Sequence, residues 1–246
     1  MQIIPVIDLK QGVVVRARMG QRDQYRPIET PLSPTSDPLD VARGLLALAR
    51  FGTFYIADLD AIEGTGDNRA AIARLTAELP GVTFWVDNGM ADPDHAEAWL
   101  EANLGQLVLG SESQRDPALL RRFAGDERII LSLDFRGSDF VGPAALLSDP
   151  ALWPRRIIVM TLARVGSGTG PDLARLASVR AAAPGRDIYA AGGVRDADDL
   201  DALAAAGIAG VLVASSLHDG RLGRADLERF SGADGLTPAH RARAAR

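Results

Sequence analysis

The chain has 246 residues, and its 27 Lys and Arg stand against 32 Asp and Glu, a net charge of −5 that excludes a general binder of nucleic-acid phosphates. Hydrophobic residues make up 47% and charged residues 24%, the composition of a packed globular chain and not of a disordered one. Cysteine is absent, which excludes disulfides, thiolate metal sites and cysteine nucleophiles.

The first run, Met1 to Leu9 (MQIIPVIDL), is apolar but carries an Asp and lacks a basic leader, so it reads as a buried strand and leads us to expect a cytoplasmic protein. No uncharged apolar stretch reaches the roughly 18 residues that a membrane span needs. From there β-branched runs alternate with Ala/Leu-rich amphipathic stretches, and Gly, Pro, Asp or Asn mark each transition. The predicted strands are Ile3–Asp8, Thr53–Asp58, Val82–Asp87, Gln106–Gly110, Arg128–Asp134, Arg156–Thr161, Asp187–Ala191 and Gly210–Ala214. Helical patterns cover 38–51, 67–79, 92–103, 116–124, 144–153, 171–183, 195–206 and 224–230. This alternation predicts an α/β protein, a (β/α)8 TIM barrel forming one domain over residues 1–230. An open doubly wound sheet would call for a Gly-rich dinucleotide turn where the chain has Leu9-Lys10-Gln11-Gly12. Residues 231–246, ending His240-Arg241-Ala242-Arg243-Ala244-Ala245-Arg246, are expected to form a flexible tail.

Three motif pairs recur at one offset of 104 residues: Gly64-Thr65-Gly66 with Gly168-Thr169-Gly170, Val86-Asp87-Asn88-Gly89-Met90 with Ala190-Ala191-Gly192-Gly193-Val194, and Leu109-Gly110-Ser111 with Val213-Ala214-Ser215. Their common order predicts a duplicated half-barrel. Asp8 and Asp134 correspond at an offset of 126, so the first half carries 22 extra residues, placed between about Gln11 and Pro38. A loop of that length over the strand ends is expected to be functional.

The carboxyl ends of the strands in a parallel barrel share one mouth, so Asp8, Asp58, Asp87 and Asp134 are candidates to point into a common cavity. Asp8 and Asp134, on symmetry-related strands, are the expected catalytic pair, because two carboxylates in a partly dehydrated site can take different pKa values and act as base and acid. Asp58 and Asp87 are equally well explained as caps or as substrate contacts. A phosphate cradle is expected at Gly168, Thr169, Gly192, Gly193, Ala214, Ser215 and Ser216, where bare backbone, hydroxyls and helix N-termini meet. The corresponding pocket at Asn88, Gly89, Gly110 and Ser111 is expected to reject an anion because of Asp87. In the long loop, Arg16, Arg18, Arg22, Tyr25 and Arg26 are placed to close over an anionic ligand. His95, His218 and His240 show no metal-ligand spacing, and no metal or cofactor is expected; a divalent cation on Asp8, Asp58, Asp87 and Asp134 is a competing reading.

Ile4-Pro5-Val6-Ile7-Asp8-Leu9-Lys10, Asp58-Leu59-Asp60, Leu133-Asp134 and Ala191-Gly192-Gly193-Val194, together with the duplication, resemble the histidine-pathway barrel enzymes, ProFAR isomerase and the cyclase subunit of imidazole-glycerol-phosphate synthase. The resemblance implies a barrel for phosphorylated ribotides and, for the isomerase, an Amadori rearrangement of an aminoaldose to an aminoketose. Two departures stand out. The family's sixth-strand turn is Arg-Asp-Gly, whose Asp is the isomerase's general acid, and here it is Arg164-Val165-Gly166. Its third-strand phosphate turn is Gly-Gly-Gly, and here it is Asp87-Asn88-Gly89. The stretches from Met19 to Pro27, from Tyr55 to Ile62 and from Gly166 to Asp172 look instead like a divergent paralogue group, the HisA/HisF-related proteins, which implies a role near one-carbon, tetrahydromethanopterin-linked metabolism. The resulting expectation is an enzyme for a small phosphorylated metabolite, with Asp8 and Asp134 performing an Amadori-like isomerisation and Arg22, Tyr25, Arg26, Asp58, Asp87, Asn88 and Arg164 contacting substrate. True ProFAR isomerase, with Asp134 as substitute acid, and a non-catalytic phosphometabolite-binding barrel are the alternatives. No nucleic-acid or membrane partner is expected, and the sequence leaves the oligomeric state open.

Overall fold

Eight parallel strands close on themselves in the computed structural model, which describes residues 1–231. They are β1 (Gln2–Lys10), β2 (Thr53–Asp58), β3 (Thr83–Asp87), β4 (Gln106–Gly110), β5 (Ile129–Arg136), β6 (Arg156–Thr161), β7 (Asp187–Ala191) and β8 (Gly210–Val213). Each pairs with the next, and β8 returns to β1 through Gln2↔Gly210 to Pro5↔Val213, so none of these eight is an edge strand and the fold is a (β/α)8 barrel. The helices outside are α1 (Pro38–Leu48), α2 (Arg69–Glu78), α3 (Pro93–Glu101), α4 (Ala118–Arg122), α5 (Ala144–Ser148), α6 (Leu173–Ala182), α7 (Ala197–Ala205) and α8 (Arg224–Ser231). Apart from Ser231, which ends α8, the expected tail 231–246 lies outside the described residues. No helix among the described residues is long and apolar enough to cross a membrane.

Alternation along the strands makes two cores. One side chain from each strand points inward, namely Ile4, Tyr55, Trp85, Val108, Ile130, Ile158, Tyr189 and Leu212, and these fill the barrel interior. Their alternates, such as Ile7, Phe54, Val86, Leu107, Leu131 and Ile157, pack under the helices. Trp85 and Tyr189 meet edge to face across the interior, 4.8 Å between ring centroids and 80° apart. They occupy equivalent positions of the two halves, 104 residues apart, and the same offset relates β3 to β7, α2 to α6 and α3 to α7 residue for residue. Several helices start where the sequence supplies an acidic cap: Asp37 accepts from the Leu39 and Asp40 amides, Asp92 from Asp94 and His95, and Asp196 from Asp199.

The extra residues of the first half build a hairpin over the mouth. Val13–Arg16 pairs antiparallel with β1, placing Val15 opposite Asp8, and Arg26–Pro27 pairs with Val13–Arg16 in turn. The second half has a reduced counterpart, Asp139–Val141, which places Val141 opposite Asp134 at the same offset of 126. The strands differ from the sequence reading mainly at their ends, because β1 and β5 run on past their Asp into these hairpins. Two short helices, Leu59–Glu63 and Ser215–His218, lie outside the helical patterns read along the chain, the second of them beginning at the expected phosphate cradle.

The return of the long connection to α1 rests on Gly44, where an added Cβ would lie 1.8 Å from the Leu32 carbonyl oxygen. An exposed helix glycine replaced by alanine gains about 1 kcal/mol. Here we expect Gly44→Ala to lose at least about 2 kcal/mol, read by urea unfolding, because backbone must move. A neutral or stabilising effect would show that Leu32 is not held against the helix.

Candidate active site

The strand ends and the first loop line a cleft that is open to solvent at its mouth. Its two halves are chemically unlike. In the first half, the β3 carboxylate of Asp87 turns back on its own turn, and Oδ1 accepts the Gly89 N–H at 3.1 Å. Its Oδ2 stands 2.8 Å from where a Cβ on Gly110 would lie, so the space over that glycine is filled by the carboxylate. Asp134, at the end of β5, takes the next donors: Oδ2 accepts the Glu112 N–H at 3.1 Å and the Ser111 hydroxyl at 3.2 Å, and Oδ1 accepts from Ser132 Oγ at 2.6 Å. Ser111 Oγ also donates to the Val141 carbonyl at 2.7 Å.

The second half leaves the equivalent donors unspent. Gly193 and Ser216 correspond to Gly89 and Glu112, and neither their N–H groups nor those of Gly168 and Ser215 bond to another described residue. Ser216 is 1% exposed, lines the cleft, and its hydroxyl has no hydrogen-bond partner among the described residues. Gly192 and Gly193 have φ near +100° and +90°, and a Cβ at Gly193 would lie 2.2 Å from the Gly170 carbonyl oxygen, so only glycine lets this turn meet the loop after β6. Arg221 lines the same end of the cleft. Free amides, a buried hydroxyl and a guanidinium are the donor set that a phosphate monoester requires.

Between these ends sit the titratable groups. Burial pushes Asp8 up to about 7, with the Arg22 guanidinium pulling the other way. Asp134 is likewise pushed up to about 7, by burial and then by the neighbouring Asp87. Asp87 rises to about 6 through burial, opposed by the Gly89 amide. The Asp8 carboxyl has no hydrogen-bond partner among the described residues, and Asp8 lines the cleft. The Tyr55 phenol, buried among these carboxylates, donates weakly to Asp87 Oδ2 at 3.4 Å. Arg22 reaches over from the first loop and pairs with Glu112. The loop is seated at its far side by the Met19 N–H, which donates to the Val165 carbonyl at 2.8 Å, and Val165 itself lines the cleft.

Of the residues expected at the site, Asp8, Arg22, Tyr25, Asp87, Asp134, Gly168, Gly192, Gly193, Ala214, Ser215 and Ser216 line the cleft together. Five do not, each for a local reason. Asp58 spends its carboxylate on the Asn68 N–H, the Asn68 amide and the Ala61 N–H, at 2.8, 2.7 and 3.3 Å, so it caps the turn after β2. Arg26 is exposed and donates to the carbonyls of Asp23 and Tyr25. Arg164 clamps the carbonyls of Gly170 and Pro171 at 2.8 and 3.1 Å. Thr169 bonds to Ser167 at 2.8 Å, and Asn88 stays half-buried beside the cleft. In the loop, Arg16 pairs with Asp219 on the outside. With Asp58 committed elsewhere, the four strand-ending Asp residues do not converge on a cation, and no group of three or more His, Asp or Glu among the described residues is placed to hold a metal.

Sequence reasoning missed Glu112, Tyr55, Arg136 and Arg221, which also line the cleft. Glu112 was available as the repeat equivalent of Ser216, and Arg136 as the residue two beyond Asp134 on the same strand face. Arg221 carries no such signal.

Fold and cleft together define a (β/α)8 barrel with a ligand site of two unequal halves at the carboxyl ends of its strands. Residues 2–147 and 151–223 match the family described as histidine biosynthesis protein, and the chain belongs to that family, which contains HisA and HisF. It is 32% identical over 237 residues to a phosphoribosyl-imidazole-4-carboxamide isomerase, a ProFAR isomerase, of Deinococcus radiodurans, covering 90% of this chain and 95% of that one. The corresponding isomerase of Thermus thermophilus is 32% identical over 238 residues, 90% and 96% of the two chains. A protein of Methanocaldococcus jannaschii named only as uncharacterized is 30% identical over 236 residues, 94% and 97% of the two chains.

The raised carboxyls fix a pH dependence. Asp8, Asp87 and Asp134 bind protons more tightly folded than unfolded, so their contribution is present below about pH 4 and is lost as pH rises through about 6 to 7. His218, lowered to about 4 by burial, opposes this only below its ordinary 6.5. Urea unfolding is therefore expected to show less stability at about pH 8 than at about pH 5, with Asp134→Asn shrinking the difference. A profile that rises or stays flat over that interval would contradict the buried placement of these groups.

Proposed function

We propose that this barrel isomerises a small aminoaldose phosphate to the aminoketose, with Asp8 and Asp134 exchanging the protons and the Gly193–Ser216 end holding one phosphate. The single observation that carries this reading is the placement of Asp8 and Asp134 in one cleft, both held near neutrality by burial, so that a base and an acid coexist there. Membership of an isomerase-containing family supports it.

Asp8 is the base in this scheme. It faces Arg22, which favours its ionised form, and its oxygens have no competing hydrogen bond among the described residues. Asp134 is the acid, because the carboxylates of Asp87 and Glu112 favour its protonated form. The acid delivers a proton to the ring oxygen, which opens the sugar to the protonated imine, and the base then removes the C2 proton to give the enolamine. Asp8 returns a proton to C1 while Asp134 takes up the proton of the C2 hydroxyl, which leaves the ketose and restores both groups. Closure of the first loop through Arg22 and Glu112 keeps water from these intermediates.

ProFAR itself suits this cleft poorly. Val165 lines it where the family's acid would stand, and the second phosphate would meet Asp87 in place of free amides. Purified protein is therefore expected to show negligible ProFAR turnover and to fail in complementing an isomerase-deficient histidine auxotroph. Robust turnover would overturn that expectation. For the reaction class, a panel of aminoaldose phosphates in D2O should include one whose aminoketose product carries solvent deuterium at C1, with Asp8→Asn slowing this exchange by about 10² to 10⁴. Exchange that persists unchanged in Asp8→Asn would remove the proposed base.

A further inference from the structure

We propose that the substrate's end distal to the phosphate is a cationic amine, received by Asp87 and Glu112. The inference rests on the reading above that the Gly193–Ser216 end takes a phosphate, and it names what the opposite end recognises.

Donor supply supports the choice. The amides that would receive an anion in the first half, Gly89 and Glu112, already serve Asp87 and Asp134, and the Ser111 hydroxyl serves Asp134 and Val141. An incoming anion would find carboxylate oxygens there, and an N–H donor would find acceptors with unused lone pairs. Charge supply agrees. Asp8, Asp87, Glu112 and Asp134 all line the cleft, whereas the cation among them, Arg22, is engaged by Glu112. Of the other lining cations, Arg221 stands beside Gly168 at the phosphate end, and Arg136 is exposed at the rim.

A separate observation marks the phosphate end. Ser216 Oγ, at 1% exposure, has no partner among the described residues, which leaves a buried hydroxyl to be completed by a ligand oxygen or an ordered water. A molecule anchored there by its phosphate and extended across the mouth arrives over the first-half carboxylates. An ammonium at that end would be desolvated against Asp87, whose carboxyl burial pushes up to about 6, and it would draw that carboxyl into its ionised form.

Titration calorimetry with a ladder of ω-aminoalkyl monophosphates of increasing length tests this, each compared with the alkyl monophosphate and the alkane bisphosphate of equal length. At the matching length the amine is expected to bind about tenfold or more tighter than the alkyl monophosphate, the worth of one charge-assisted hydrogen bond. Asp87→Asn should remove most of that advantage and keep alkyl monophosphate binding. Should Asp87→Asn fail to fold, the wild-type ladder decides alone. Alkyl monophosphates that bind as well as their amines would overturn the amine and leave the phosphate end standing. Tighter binding of the bisphosphates would overturn it too. If no monophosphate binds at all, the phosphate reading falls and this inference with it.

Discussion

A side-chain carboxylate accepting a backbone N–H that a ligand would otherwise use is the interaction on which the site turns. Asp87 on the Gly89 amide and Asp134 on the Glu112 amide convert one half of a two-fold pocket from a donor surface to an acceptor surface. The repeat makes the comparison internal, since Gly193 and Ser216 occupy the equivalent positions and keep their amides free. Within one chain, the same turn geometry is thus tuned to opposite charge by what stands at the end of the third and seventh strands, Asp87 in one half and Ala191 in the other.

Such an arrangement costs stability. Carboxyl groups buried at 4 to 6% exposure, as Asp134 and Asp87 are, resist ionisation, and the barrel holds them there because its walls are otherwise rigid. Rigidity comes from strand closure and from the filled interior, with Trp85 and Tyr189 wedged together at its centre. Charge balance comes from the first loop, whose Arg22 crosses to Glu112 and faces Asp8 and Asp87. The loop therefore does two things at once: it covers the cleft and it supplies the positive charge that keeps four carboxylates tolerable in one mouth.

Much of this was legible in the sequence. The eight strands appear as β-branched runs of ordinary length, and the offset of 104 shows in the sequence as three short motifs. Asp8 and Asp134 stand out because a polar residue closing a buried strand at the barrel mouth has few places to go. Hydrogen-bond commitments were not legible. Asp58 and Asp87 end equivalent-looking strands, yet Asp58 is consumed by Asn68, ten residues on, while Asp87 reaches back only two residues to Gly89 and stays in the cleft. Arg26 and Arg164 lie outside the cleft lining for the same reason: nearby carbonyls hold their guanidinium groups. Glu112 stayed hidden because nothing in its neighbourhood marks it until the repeat is laid against Ser216.

The measurement that bears most directly on the unequal halves is a crystal structure of the protein grown in sulfate. The account predicts tetrahedral density at Gly193, Ser215 and Ser216 and none over Gly89 and Gly110, where the Asp87 carboxylate should remain on the Gly89 amide. Sulfate at both pockets, with Asp87 swung aside, would contradict it.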